Sequence, residues 1–172
     1  MNPKLQFIFN RRSVRKYKDQ PVTDETLTDL LEAAMAAPSA VAKDPWNFII
    51  VKKRETLNQL AEFMPNAQML KQAPAAIFIC GDIERAHTQA ESYMLQDCSA
   101  AIENILLAAT ALGLGSCWLG VHPRPERMVA VQKVFALPEG IIPVSGIALG
   151  YPAEQPEPRT RFRAEYVRYE TW

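Results

Sequence analysis

The sequence predicts a single α+β domain of three layers, with helices flanking a central β-sheet. Stretches with apolar residues at helical spacing alternate along the chain with short β-branched and aromatic runs. No internal repeat and no linker divides the 172 residues, so one domain over 1–172 is expected, with 151–172 as a C-terminal arm. At 48% hydrophobic and 22% charged residues, the composition is that of a globular chain. A chain of this size buries about two-thirds of its unfolded surface. Its core therefore needs no disulfide or metal to hold it.

The elements follow in order. Phe9 to Thr23, FNRRSVRKYKDQPVT, opens with a basic cluster of Arg11, Arg12, Arg15, Lys16 and Lys18. Thr23, Asp24 and Glu25 start a helix with acidic residues where the helix dipole favours them. Leu27, Leu30, Leu31, Ala34 and Met35 continue it until Pro38 stops the run. Pro45 to Lys53 is short, aromatic and β-branched, hence a strand; Leu57, Leu60, Ala61 and Met64 give a short helix. A second strand covers Pro74 to Cys80. The apolar set from Tyr93 to Leu112 marks a long helix over 91–112, expected to begin several residues earlier and to end at Gly113. It is apolar on more than one stripe, as a helix is in the middle of a core that continues across a subunit interface. Ser116 to Val121 is a strand, Pro125 opens a helix through Val134, and Pro143 to Gly150 is the last strand. After Tyr151, three prolines and then Arg159, Arg161, Arg163 and Arg168 predict an extended tail unable to bury itself alone. The parallel or antiparallel sense of the strand pairs is not encoded in these patterns.

Composition excludes several function classes. Lysine plus arginine and aspartate plus glutamate balance at 19 each, so no global field draws the chain to nucleic acid or to an anionic membrane. The long helix contains Asp97 and Glu103, against a membrane span. MNPKLQFIFNRR carries its charge after its apolar residues, the reverse of a secretory leader. Cys80, Cys98 and Cys117 lie in apolar runs and read as buried thiols of a reducing compartment, so a cytoplasmic location is expected. His87 and His122 read as surface residues without ligand spacing, and no metal site is expected. GLGSCWLG, Gly113 to Gly120, has neither the spacing nor the strand-to-helix context of a dinucleotide fingerprint. Asp97 and Glu103 are six apart on one helix, off the shared face that acid-base pairing would use.

Arginine remains. Arg11, Ser13 and Arg15 at spacing two place two guanidinium forks and a hydroxyl on one side of an extended segment. Planar forks suit a phosphate better than point charges do. If the tail folds back to bring Arg159 and Arg161 to them, the result is a dianion site fit for a nucleotide-like cofactor; a solvated basic face is the other reading of such a run.

Four blocks, in order, resemble a known family: RRSVRKY, APSAVAKDPWNFIIV (Ala37 to Val51), ALGLGSCWLG (Ala111 to Gly120) and ALGYPAEQPEPRTRF. They are similar to the nitroreductase family of FMN-dependent, NAD(P)H-using oxidoreductases. The resemblance implies a central mixed β-sheet flanked by helices, and a homodimer that exchanges its tails and holds its flavins at the interface. It puts Arg11, Arg12 and Ser13 at the FMN phosphate and ribityl chain, Arg15 at the flavin pyrimidine edge, and Arg159 and Arg161 back at the phosphate. Pro38, Ser39 and Ala40 would line the flavin from the other subunit, and the backbone of Leu119 and Gly120 would pass flavin N5. NADH or NADPH would donate hydride in a ping-pong exchange with a nitroaromatic, quinone or similar small-molecule acceptor. No side chain is assigned as a catalytic acid or base.

The block after Ser39 departs from the family pattern, with Val41, Ala42 and Asp44 where a glycine, an asparagine and a glutamine are usual. The lost amides leave open a second function, a flavin-binding or flavin-handling protein without nicotinamide turnover. A third, an anion- or RNA-binding module, would leave the protein colourless.

Overall fold

The computed structural model describes residues 2–172. Its centre is β2, Ala75–Asp82, whose side chains alternate between two cores. Ala75, Ile77 and Ile79 enter one cluster of buried apolar residues, while Ala76 and Phe78 enter the other. A strand buried on both faces needs a layer of helices on each side, because each helix covers only one face. The helices α2 (Asp24–Met35) and α4 (Glu91–Ala111) supply Leu27, Leu30, Cys98, Ile102 and Ile105 to the first cluster. From the opposite side, α3 (Arg54–Phe63) and α5 (Pro125–Phe135) supply Leu57, Leu60 and Val131 to the second. The expected three layers are thus present.

The sheet has four strands: β1 (Trp46–Val51), β2, β3 (Gly115–Gly120) and β4 (Ile141–Gly150). They lie in the order β1-β2-β4-β3, and each neighbouring pair is antiparallel. The mixed sheet implied by the resemblance is narrower than that: among the described residues its parallel component within this chain is one isolated bridge, Ser13 to Ser116. The physical reason is topological. The long helix α4 crosses from β2 to β3 with β4 inserted between them, so the two strands that share a direction never touch.

Two details differ from expectation at the helix ends. The long helix starts at Glu91 and not earlier, because Thr88 and Gln89 take the left-handed backbone (φ 54° and 53°) that breaks a helix. Before Arg11 there is a short additional helix, α1 (Gln6–Asn10), too short to show a period in the sequence. Gly113 terminates α4 at φ 74°, as its position predicts.

The three cysteines are buried and unpaired. Burial pushes the Cys80 and Cys98 thiols up to about 12 from an ordinary 9.0. Between those values the unfolded chain releases both protons while the native state keeps them, so stability is full below pH 9 and is lost as pH rises towards 12. The expected observation is a urea midpoint that falls steadily above pH 9, and that falls less steeply in a Cys80→Ala/Cys98→Ala variant. In the native protein at neutral pH a chromogenic disulfide reagent should label no thiol, and in denaturant all three. Rapid native labelling would contradict this burial.

Candidate functional site

The two ends of the chain are joined. Residues after β4 run back along the basic N-terminal segment. Lys18 N–H donates to the Tyr151 carbonyl at 2.8 Å, Ala153 N–H to Lys16 at 2.9 Å, and Arg159 N–H to Phe9 at 3.3 Å. Tyr17 pairs with Pro152 in an antiparallel bridge. The Glu154 carboxylate caps this clasp, its Oε1 accepting Arg15 N–H at 2.6 Å and Lys16 N–H at 3.2 Å. The Tyr17 ring is buried beneath it and its hydroxyl donates to the Val14 carbonyl at 2.7 Å; burial raises that phenol far above its ordinary range.

The clasp brings together the arginines that the sequence separates by some 150 positions. Arg161, Arg12 and Arg11 are close enough to Arg159 to lower its pKa, the neighbouring charge of Arg161 first. Arg12 also donates to the Glu157 carbonyl. Arg11 Nε lies 3.5 Å from Glu103 Oε1, on α4. Burial pushes the Glu103 carboxyl up, and Arg11 holds it down in part. Among the described residues only Arg11 of these four arginines is paired with a carboxylate, so the cluster is short of negative charge and suited to a dianion. Arg11, Arg12, Arg159 and Arg161, all expected at the phosphate, are thus gathered, and Ser13 follows Arg12 on the bridge to Ser116.

From Arg11 the segment runs extended to Arg15, a reach of roughly 13 Å at about 3.3 Å per residue. At its far end opens a cleft of about 850 Å³. Arg15 and Lys16 line one side of it, and the last residues of β3, Trp118, Leu119 and Gly120, line another. This strand is at the sheet edge, and beyond Ser116 no strand among the described residues pairs with its outer side. The outer edge of β3 along Trp118 to Gly120 is therefore not covered by another strand. The Gly120 carbonyl accepts from Arg127 at 2.7 Å, and the Leu119 carbonyl from Ser145 Oγ at 3.1 Å.

Sequence reading missed the remaining wall. The segment Pro65–Lys71 after α3 is 3-10 helix, and Asn66, Gln68 and Met69 line the cleft. Its sequence signal was Pro65 ending the helical period; nothing in the pattern says that it lines a cleft, and the Gln68 amide donates back to the Ala61 carbonyl on α3 at 2.7 Å. Arg127 is likewise missed, and Cys117 is read from the sequence only as a buried thiol. The Cys117 thiol is buried against the cleft, where burial raises its pKa and the Arg15 charge and a hydrogen bond from Ser13 oppose that rise.

Pro38, Ser39 and Ala40 are not in this cleft. Ala40 N–H donates to Asp97 Oδ1 at 2.9 Å, which anchors the loop to α4. Ser39 and Asp44 bind each other, hydroxyl to carboxylate and Asp44 N–H to Ser39 Oγ at 3.0 Å. Val41, Ala42 and Asp44 are left-handed, at φ 53°, 51° and 48°. These are the positions where the resemblance expects glycine, asparagine and glutamine, and glycine or asparagine adopts this backbone with less strain. The Asp44 carboxylate instead locks the loop through Ser39.

His87 and His122 are half-buried, a correction to the surface placement. His87 packs edge-on against Tyr93, and His122 Nε2 lies 3.0 Å from Glu91 Oε1. Each is engaged by the start of α4, a contact that depends on tertiary packing. Among the described residues no helix is long and apolar enough to cross a membrane.

Known proteins share this architecture over the whole chain. A Methanothermobacter thermautotrophicus protein provisionally named NADH dehydrogenase/NAD(P)H nitroreductase is 45% identical over 98% of this chain and 87% of its own. A crystal structure of a like-named Parabacteroides distasonis protein superposes with TM-score 0.93 at 42% identity, covering 100% of both chains. A Desulfovibrio desulfuricans relative solved in complex with FMN is 32% identical, with TM-score 0.85 over 100% of this chain and 99% of that one. The sequence model described as the nitroreductase family matches residues 8–68 and 62–151, a span that holds the basic segment, the cleft walls and the whole sheet, and the chain belongs to the nitroreductase family.

Proposed function

We propose that this protein is an FMN-dependent oxidoreductase that takes hydride from NADH or NADPH and delivers it to a nitroaromatic, quinone or similar conjugated acceptor. The observation that carries the reading is the arginine cluster joined by an extended segment to a cleft at a free strand edge. Its dimensions and charge suit FMN: a dianion at Arg11, Arg12, Ser13, Arg159 and Arg161, a polyol along the segment, and an aromatic ring in the cleft. When bound, FMN supplies the hydride chemistry, accepting at its N5 and releasing to the acceptor.

The residues of the chain then hold and tune. Arg15 would place a cation at the pyrimidine edge, where reduction adds negative charge, and would so favour the reduced state. The backbone of Leu119 and Gly120, whose carbonyls are already engaged by Ser145 and Arg127, would pass beside the ring. No side chain in the cleft is asked to carry a proton, in keeping with a site whose work is position and charge. Donor and acceptor use the one cleft in turn, the ping-pong order.

A homodimer completes the site. Phe162, Tyr169 and Trp172 in the tail are exposed, Trp172 fully, and Phe7 and Ile8 of α1 are partly so. Apolar groups of this size at two places on one chain fit a second copy. Pro38, Ser39 and Ala40, absent from this chain's own cleft, would then reach the cleft of the partner. Three unpaired buried thiols support a reducing, cytoplasmic setting.

The decisive experiment mixes the yellow holoprotein with NADH or NADPH without oxygen. Bleaching of the flavin band, reversed by adding a quinone, is expected. Persistent colour with both donors would remove the oxidoreductase reading and leave flavin handling.

A further inference from the structure

Three cationic side chains line the cleft, Arg15, Lys16 and Arg127, against one carboxylate, Glu154. Glu154 is already occupied by two backbone N–H donors of the clasp. The field inside the cleft is therefore positive, separately from the arginine cluster at the phosphate end. Arg15 has a use in the proposed function. Arg127 has none.

Its placement is specific. Arg127 lies in the first turn of α5, lines the same cleft as Arg15 and Lys16, and is half-buried. One guanidinium nitrogen is fixed by donating to the Gly120 carbonyl at 2.7 Å. A guanidinium has five N–H donors in a rigid plane, so fixing one nitrogen orients the rest. No carboxylate is paired with it among the described residues. A held, unpaired cation at the mouth of a reaction cleft attracts a ligand with a negative group.

We infer that Arg127 is a specificity-determining residue that selects acceptors carrying an anionic substituent, a carboxylate, sulfonate or related oxyanion, over neutral acceptors of the same shape. This rests on the oxidoreductase reading. The conjugated part of the acceptor lies along β3 with Trp118 at its side, and its anionic group meets the free edge of the guanidinium.

The test compares para-nitrobenzoate with para-nitrobenzyl alcohol, nearly equal in shape and different in charge, using the dimeric holoenzyme and saturating NADH or NADPH. The ratio of their kcat/KM values is the readout, because any disturbance of the Gly120 carbonyl affects both substrates and cancels. Arg127→Gln is expected to lower that ratio about tenfold, chiefly through the KM of nitrobenzoate, a tenfold change being what one partly exposed charge-assisted contact supplies. Arg127→Lys keeps the charge and should hold the ratio within about twofold. The Kd of benzoate, an unreactive anion, followed by protein fluorescence, should rise in parallel in Arg127→Gln. A ratio unchanged by Arg127→Gln overturns the inference and leaves Arg127 as a support for β3. A shift confined to the KM of the nicotinamide donor also overturns it, since the cation then reads the donor phosphates. Flavin bleaching by the donor alone, measured on the same samples, keeps failure of this inference distinct from failure of the oxidoreductase reading.

Discussion

Arg11→Ala is expected to weaken FMN retention by about 1.5–3 kcal/mol, the scale of a hydrogen bond to a charged group. Arg11 is the member of the cluster braced from two sides, by the helix end that precedes it and by Glu103 on α4. Its guanidinium is therefore held in place before the ligand arrives, and little side-chain freedom is lost on binding. Arg159 is fully exposed and relaxed by solvent, so Arg159→Ala should cost less and its effect should fade as salt is raised. Titrating apoprotein with FMN and following the loss of free-flavin fluorescence gives both values. An Arg11→Ala protein that binds FMN as tightly as the parent would show that the phosphate lies elsewhere.

The largest effect on stability is expected at Phe78. It is fully buried in β2, packs edge-on against Phe135 at 5.1 Å between ring centroids, and lies across from Gly146 on β4. Phe78→Ala should cost about 3–5 kcal/mol, as removal of a ring from a closed core does. Gly146 is glycine because of that ring: a Cβ there would sit 2.8 Å from Phe78 Cε1. Gly146→Ala alone should therefore cost about 1–3 kcal/mol by overpacking. In the Phe78→Ala background the same change should be close to neutral, because the ring it strikes is gone. Urea midpoints of the four proteins form the cycle. Additive losses would mean that the ring and the glycine do not share one space.

Much of this arrangement is legible in the chain. The run Leu27, Leu30, Leu31, Ala34 has one helical period between a capping threonine and a proline, and α2 spans Asp24–Met35 as that pattern requires. The return of the arginine tail to the basic segment was legible because the alternation of Arg11, Ser13 and Arg15 implies an extended segment, and because a proline-rich tail cannot stand alone. What was not legible depends on neighbours in space. Ile77 and Phe78 look alike in sequence, and only the layers on either side assign them to different cores. Asn66 and Gln68 belong to a segment with no period, so nothing local aims them at the cleft. Arg127 carries no signal in the pattern; its bond to Gly120 exists because β3 ends beside the first turn of α5.

The clasp between the chain ends couples two properties that are usually separate. It is made of a few backbone hydrogen bonds and one carboxylate over exposed surface, while β2 and β4 are sealed in the core. Such a segment opens at far lower free energy than the whole molecule unfolds. Arg159 and Arg161 leave the arginine cluster when it does. On the proposed placement of the FMN phosphate, release of the tail and release of the cofactor would be one equilibrium seen from two sides, and scarcity of FMN would favour a protein whose core is intact and whose arm is loose.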